Sequence, residues 1–104
     1  FVWRGRARPP ELAERRRASA TSMRNFCYVY ILESLGQSGR FYTGMSEDLA
    51  ARLRKHNAGE VPHTAKFRPW RVKTAIAFRE TERAAAFERY LKSPSGRAFA
   101  KKRL

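Results

Sequence analysis

Apolar and polar positions alternate in three short stretches and recur with a helical period in three others. The first stretch is Phe26 to Leu32, FCYVYIL, where alternation puts Tyr28 and Tyr30 on one face of a strand and Cys27, Val29 and Ile31 on the other. A second run, Arg40 to Thr43, leads into Gly44, and Glu33 to Gly39 between them is a polar loop longer than a two-residue turn. Together they predict a hairpin that presents tyrosines. Two phenols on one face suit a core whose hydroxyls are satisfied at its edge as well as they suit a site. In the third stretch, WRVKTAIAF at 70–78, the alternation predicts a strand with Trp70, Val72, Thr74, Ile76 and Phe78 on a common face.

The helical stretches carry their own boundary signals. Ser46 is placed to cap a helix from Glu47 to about Asn57, with Glu47 and Asp48 in the first turn, where the helix dipole favours anions. Counting from Leu49, Leu53 falls at roughly 40°, Arg52 at roughly 300° and His56 at roughly 340° around the axis. Arg52 and His56 are therefore one turn apart and border the buried stripe, as a solvated helix edge or as groups facing a cleft. Thr81 is placed to cap TERAAAFERYLK, in which Ala84, Phe87 and Leu91 form the apolar stripe and Glu88 lies at its margin. A carboxylate there needs a partner, either an arginine or a metal ion. Ser93-Pro94 opens a last short basic helix, with Phe99 as its packing residue. Gly59 to Pro69 is a flexible loop, and Lys66 and Arg68 on it, followed by Trp70 and Arg71, suit phosphate and base contact. For Trp70 itself, a plug in the core is the better reading.

Composition narrows the class. The chain has 104 residues, room for one domain, and a net charge of +14. Phe1 to Ser22 lacks a sustained apolar period and precedes the first methionine, Met23, so it reads as a basic, disordered leader or added extension, and residues 23–104 as the folded unit. That unit keeps 17 basic against 7 acidic residues, a balance of +10. Such a charge on so small a domain points to nucleic acid as partner. No apolar span or amphipathic anchor points to a membrane, and no apolar signal segment is visible, so a cytoplasmic location is expected. The lone Cys27 alternates inward and packs, and with only two histidines the chain offers no four-ligand zinc site.

The order of the pieces adds a resemblance. YVY at 28–30, YTG at 42–44, Arg52 and His56 in DLAARLRKHNAG, RPW at 68–70 and Glu88 in FERYLKS resemble the GIY-YIG nuclease superfamily, in particular its small stand-alone members, which are similar to the N-terminal catalytic domain of the excision-repair incision nuclease. The resemblance implies an α+β fold, a small three-stranded antiparallel sheet flanked by helices. It also implies an endonuclease that hydrolyses DNA phosphodiester bonds with Mg²⁺ or Mn²⁺, structure-selective and tied to DNA repair or processing, with RNA as an open second substrate. Carried over by position, Tyr30, Tyr42, Arg52 and His56 are the catalytic set, Glu88 the metal ligand and Gly44 the structural glycine of the second motif. Tyr28 stands where the namesake motif has glycine. Lys66, Arg68, Arg71 and Lys92 are the expected nucleic-acid contacts.

The chemistry asks for these residue types. Phosphodiester hydrolysis needs an activated water and a guanidinium fork such as Arg52 on the non-bridging oxygens. A single carboxylate such as Glu88 suits a hard ion that keeps most of its waters. Tyr30, with its pKa lowered by the ion and Arg52, or His56 is the expected proton acceptor. The competing class is a basic nucleic-acid-binding module that keeps the fold without turnover. A domain this small has nothing further with which to read sequence, so specificity is expected to be poor, structural or supplied by a protein partner, and cutting both strands calls for a dimer or two binding events.

Overall fold

The computed structural model describes residues 2–3 and 26–104. Three long strands form the antiparallel sheet: β2 (Cys27–Ser34), β3 (Phe41–Ser46) and β4 (Trp70–Phe78), with β2 in the middle. A two-residue strand, β1 (Val2–Trp3), adds to the free edge of β4 through the pairs Val2↔Ile76 and Trp3↔Ala75. The remainder of the expected leader lies outside the described residues. Helix α1 (Leu49–Asn57) covers one face, and α2 (Thr81–Lys92) and α3 (Pro94–Arg103) cover the other. This is the small α+β arrangement expected.

Alternation on β2 decides which core each residue joins. Tyr30 and Leu32 are buried with Leu49, Trp70, Val72 and Ala75 on the α1 face. Cys27, Val29 and Ile31 are buried with Ala84 and Leu91 on the other, flanked by Phe78 and Phe87. Both strands of the hairpin run further than their apolar pattern suggested. Pairing continues from Glu33↔Phe41 to Tyr28↔Ser46, because an eight-residue central strand offers ladder partners that keep the polar ends extended. Gly44 thus lies inside β3 and not at its end.

On β4 the single face expected for Trp70, Val72, Thr74, Ile76 and Phe78 is broken. The register with β2 jumps from Ile31↔Thr74 to Leu32↔Val72, which leaves Lys73 as the extra residue of a bulge. An extra residue reverses every following side chain. Trp70, Val72 and then Ala75 accordingly face α1, while Phe78 packs with the α2 core and the Thr74 hydroxyl donates to the Leu104 carbonyl oxygen at the end of α3 at 3.1 Å.

The first two helix starts differ from expectation and the third agrees with it. α1 begins at Leu49, capped by Asp48, whose carboxylate accepts from the Ala51 N–H at 3.0 Å. Ser46 acts one step earlier, its hydroxyl accepting from the Asp48 N–H and so holding the turn that aims the cap. Thr81 is the first residue of α2, and Glu80 takes the cap position without a side-chain bond. Ser93 caps α3 through the Gly96 N–H, with Pro94 in the first turn. α3 is seated by Gly96, Ala100 and Leu104; Phe99 stays exposed, with its ring 5.9 Å from Tyr90. A β-carbon on Gly96 would stand 2.7 Å from Leu91 Cα, so the absence of a side chain is what lets α3 approach α2.

Candidate active site

The α1 face carries an unusual amount of buried polarity. His56, Tyr30 and Thr64 are all essentially inaccessible. Three elements converge on them: β2 supplies Tyr30, the last turn of α1 supplies His56, and the loop before β4 supplies Thr64. The expectation placed His56 at the border of the apolar stripe, but the loop closes over it and takes it fully inside.

One assignment of the protons gives each contact among these groups both a donor and an acceptor. Thr64 donates its only hydroxyl proton to the Val61 carbonyl oxygen at 3.2 Å, so its lone pair can only accept, here from His56 Nδ1–H at 2.8 Å. His56 Nε2 is then unprotonated and accepts from the Tyr30 hydroxyl at 3.3 Å. Burial first, and the Arg52 charge second, push His56 below its ordinary pKa, which agrees with a neutral ring. The chain runs Tyr30 to His56 to Thr64 to the backbone.

The loop that supplies Thr64 is pinned and not flexible. Trp70 Nε1 donates to the Thr64 carbonyl oxygen at 2.9 Å, and the Ser34 hydroxyl donates to the Phe67 carbonyl oxygen at 2.5 Å. Asn57, at the end of α1, donates to the Trp70 carbonyl oxygen at 3.0 Å and accepts from the Trp70 N–H at 2.6 Å. Asn57 therefore bolts the helix to the first residue of β4. Asn57, Ser34 and Thr64 are not among the residues expected from the sequence. Nothing in spacing marks them, because each works through a carbonyl or ring brought close only by folding.

The rings of Tyr42 and His56 are 4.8 Å apart, those of Tyr30 and Tyr42 6.5 Å. Tyr30 lies directly over Gly44, its cross-strand partner: a β-carbon on Gly44 would stand 2.6 Å from the Tyr30 ring carbon Cζ. Gly44 is thus the space into which Tyr30 fits. Arg52 completes the cluster beside the Tyr30 and Tyr42 phenols, Tyr30 above all, which raise its pKa further and keep it charged. Its Nε is buried and has no hydrogen-bond partner among the described residues. A charged donor in that condition is costly unless an acceptor arrives.

Tyr30 departs from expectation. Burial pushes its phenol above the ordinary value, and Arg52, which pulls it down, does not overcome this; Tyr42 and Glu88 add to the rise. The phenol is therefore protonated at neutral pH. Glu88, on α2, adds slightly to the rise at Tyr30 and likewise to that at Cys27 on the opposite face of the sheet. Its partner is Lys92, one turn on, at 3.2 Å, where an arginine or a metal was expected. With Lys92 about half exposed, such a pair contributes about 0–1 kcal/mol and opens readily.

The outer cations are dispersed. Arg71 is tied to Glu33 at 2.9 Å, and Lys92 to Glu88. Lys66 is exposed with its ammonium 5.3 Å from the Phe67 ring centre, and Arg68 lays its guanidinium against Gly59, whose φ of 79° and missing side chain leave room for it. Cys27 is buried on the far face with its thiol pKa raised by burial, in keeping with a packing role.

Among the described residues no helix is long and apolar enough to cross a membrane, and no three of His, Cys, Asp and Glu gather as a metal cluster. Comparison with known proteins finds UPF0213 proteins of Streptococcus sanguinis, 38% identical over 58 residues (56% of this chain, 61% of that protein), and of Halalkalibacterium halodurans, 37% identical over 71 residues (67% of this chain, 73% of that protein). A third, from Cupriavidus pinatubonensis, is 40% identical over 52 residues, 49% of this chain and 56% of that protein. The chain thus spans under two thirds of the length of two of these relatives, and their names state no activity. No solved structure matches. Residues 26–103 match the GIY-YIG catalytic domain, and with three quarters of its length so covered the chain belongs to that family of nucleases.

Proposed function

We propose that the chain is a divalent-metal-dependent endonuclease that hydrolyses DNA phosphodiester bonds, selective for substrate structure and acting in repair or processing of DNA in the cytoplasm. The observation that carries this reading is the buried Nε of charged Arg52, without a partner among the described residues, beside a fully satisfied Tyr30–His56–Thr64 chain. A phosphate oxygen is the acceptor that Arg52 lacks, and a guanidinium binds it with a rigid fork of donors.

The donor set fits one kind of metal. A single carboxylate at the rim, with no cluster of nitrogen or sulfur ligands beside it among the described residues, suits a hard ion that takes one protein oxygen and keeps most of its waters, Mg²⁺ or Mn²⁺. Glu88 would hold it, with Lys92 released to solvent or to a phosphate. When bound, such an ion neutralises phosphate charge and makes a coordinated water more acidic.

Proton transfer follows from the tautomer. Tyr30 accepts a proton from the attacking water while passing its own to His56 Nε2, and the imidazolium so formed keeps its Nδ1–H on Thr64. Tyr42, its ring tilted against that of His56, would border the phosphate. Arg52 disfavours the imidazolium when the site is free, and the entering phosphate offsets that charge. In this reading the two expected acceptors act in one relay, in which Tyr30 takes the proton from the water and His56 takes that of Tyr30.

The test is nicking of labelled duplex, single-stranded, flap and branched DNA with Mg²⁺, Mn²⁺ or EDTA. Metal-dependent cleavage lost in Glu88→Ala and Tyr30→Phe, with DNA binding retained, is the expected result. The competing reading, a binding module without turnover, draws on the Glu88–Lys92 pair that occupies the carboxylate. Binding across the panel without cleavage under any metal would leave that reading standing.

A further inference from the structure

On the face of the sheet away from His56, a groove of about 900 Å³ opens between the β2–β3 hairpin and α3. Ile31 and Leu91 form its apolar floor, and Phe41, Lys73, Arg97 and Lys101 stand along its walls. No aspartate or glutamate among the described residues lines it. Tyr42 and Lys92 also border it, and these are the residues that touch His56 and Glu88 on the catalytic side. The groove and the candidate site thus share Tyr42 and Lys92 at their borders, beside the edge strand β3.

Two features set this groove apart from a merely soluble basic surface. Phe41 is 50% exposed at the start of β3, an aromatic face left in water at the end of a groove. The bulge in β4 directs Lys73 toward it, so that the ammonium stands 5.0 Å from the Phe41 ring centre. Cations along a channel beside an exposed aromatic ring match the needs of an unpaired strand, whose phosphates need charge and whose unstacked bases offer flat faces. A duplex keeps its bases stacked on one another and gives Phe41 nothing to cover.

We infer that the groove is a second subsite, which takes a single-stranded nucleic-acid segment leaving the catalytic centre, with phosphates on Lys73, Arg97 and Lys101 and a base stacked on Phe41. The path of the strand rests on the nuclease reading above; the binding does not. A nuclease with this subsite favours substrates that carry an unpaired arm next to the cut.

The experiment uses the full chain, a fluorescein-labelled oligothymidylate and anisotropy over a range of salt. Arg97→Glu with Lys101→Glu should make the slope of log affinity against log salt shallower by about 1.4, at about 0.7 per phosphate contact on a single strand. Phe41→Ser should weaken binding about tenfold, as for loss of one stacked base. An oligonucleotide carrying 5-iodouracil should photocrosslink to Phe41. Circular dichroism melts of both variants confirm that these surface changes leave the fold intact. Unchanged affinity and slope in both variants, crosslinks confined to the α1 face, or tighter capture of a polyglutamate peptide than of the oligonucleotide would each overturn the subsite. Cleavage is scored separately on a duplex without an unpaired arm: a protein that cuts it but binds identically in both variants loses only the groove, and one that binds through the groove but never cuts loses only the nuclease.

Discussion

The two faces of one sheet are built on different physics. Toward α2 and α3 the core is apolar: Cys27, Val29, Ile31, Ala84 and Leu91, with Phe78 and Phe87 against them. Toward α1 the same strand buries a tyrosine against a histidine and a threonine, all placed by directional bonds. Apolar contact is non-directional and tolerates small shifts, so the far face can supply stability without specifying atomic positions. Hydrogen bonds in a buried site lose their value within a few tenths of an ångström, so the near face holds its groups in fixed geometry and leaves one donor, Arg52 Nε, without a partner among the described residues. Directional buried bonding is thus concentrated on the α1 side of β2, while Glu88 is carried by α2 on the other.

The sharpest way to break that division is to exchange their failures. Arg52→Met keeps the side-chain stem but removes the fork; nicking should fall about 10²- to 10³-fold, the scale seen when one donor to a transition state is lost. Its urea midpoint should hold, because losing the contacts to Tyr30 and Tyr42 is offset by removing a buried Nε that has no partner among the described residues. If stability drops with activity, Arg52 is a structural cation. Val29→Ala, in the far-face core, should do the reverse and lose about 1–3 kcal/mol in urea unfolding, with nicking per folded molecule unchanged.

Gly44→Ala probes the joint between strand pairing and site. The new methyl would press on the Tyr30 ring, costing about 1–3 kcal/mol as overpacking and displacing the hydroxyl from His56. Stability and nicking should fall together here, unlike in either variant above. Thr64→Val removes the acceptor for His56 Nδ1–H at constant shape, at a cost of about 1–3 kcal/mol. Thr64→Ser should restore most of it; failure of that rescue would show that the methyl group, not the hydroxyl, is what matters.

The mildest probe is pH. His56 sits below its ordinary value of 6.5 in the folded chain, so the unfolded chain binds more protons between the folded value and 6.5. Stability should then be full above 6.5 and decline as pH falls below it. Melting temperatures from about pH 8 to about pH 5 should show that decline in the parent and a weaker one in His56→Gln; equal slopes would mean that other groups carry the acid sensitivity.

Most of the fold was legible because period-two and helical patterns persist through it. Tyr30 and Tyr42 on the hairpin, Arg52 and His56 one turn apart and Glu88 on the margin of its helix were all placed by local geometry; the structure groups the first four on the α1 face and pairs Glu88 with Lys92. The Lys73 bulge was not legible, since an extra residue in a strand shows only against its partner strand. Thr64 and Asn57 were hidden for a related reason: their partners are a ring and a backbone 8 and 13 residues away.

What the chain determines by itself is which side chains share a face of each strand or helix, and how basic the whole must be, because both follow from neighbours in sequence. What only the tertiary structure decides is the state of those groups. The loop closing over His56 makes it neutral, burial keeps the Tyr30 phenol protonated, and packing leaves Arg52 Nε without an acceptor among the described residues. Protonation and hydrogen-bond satisfaction depend on what replaces water around each atom, and that is set by residues distant in the chain.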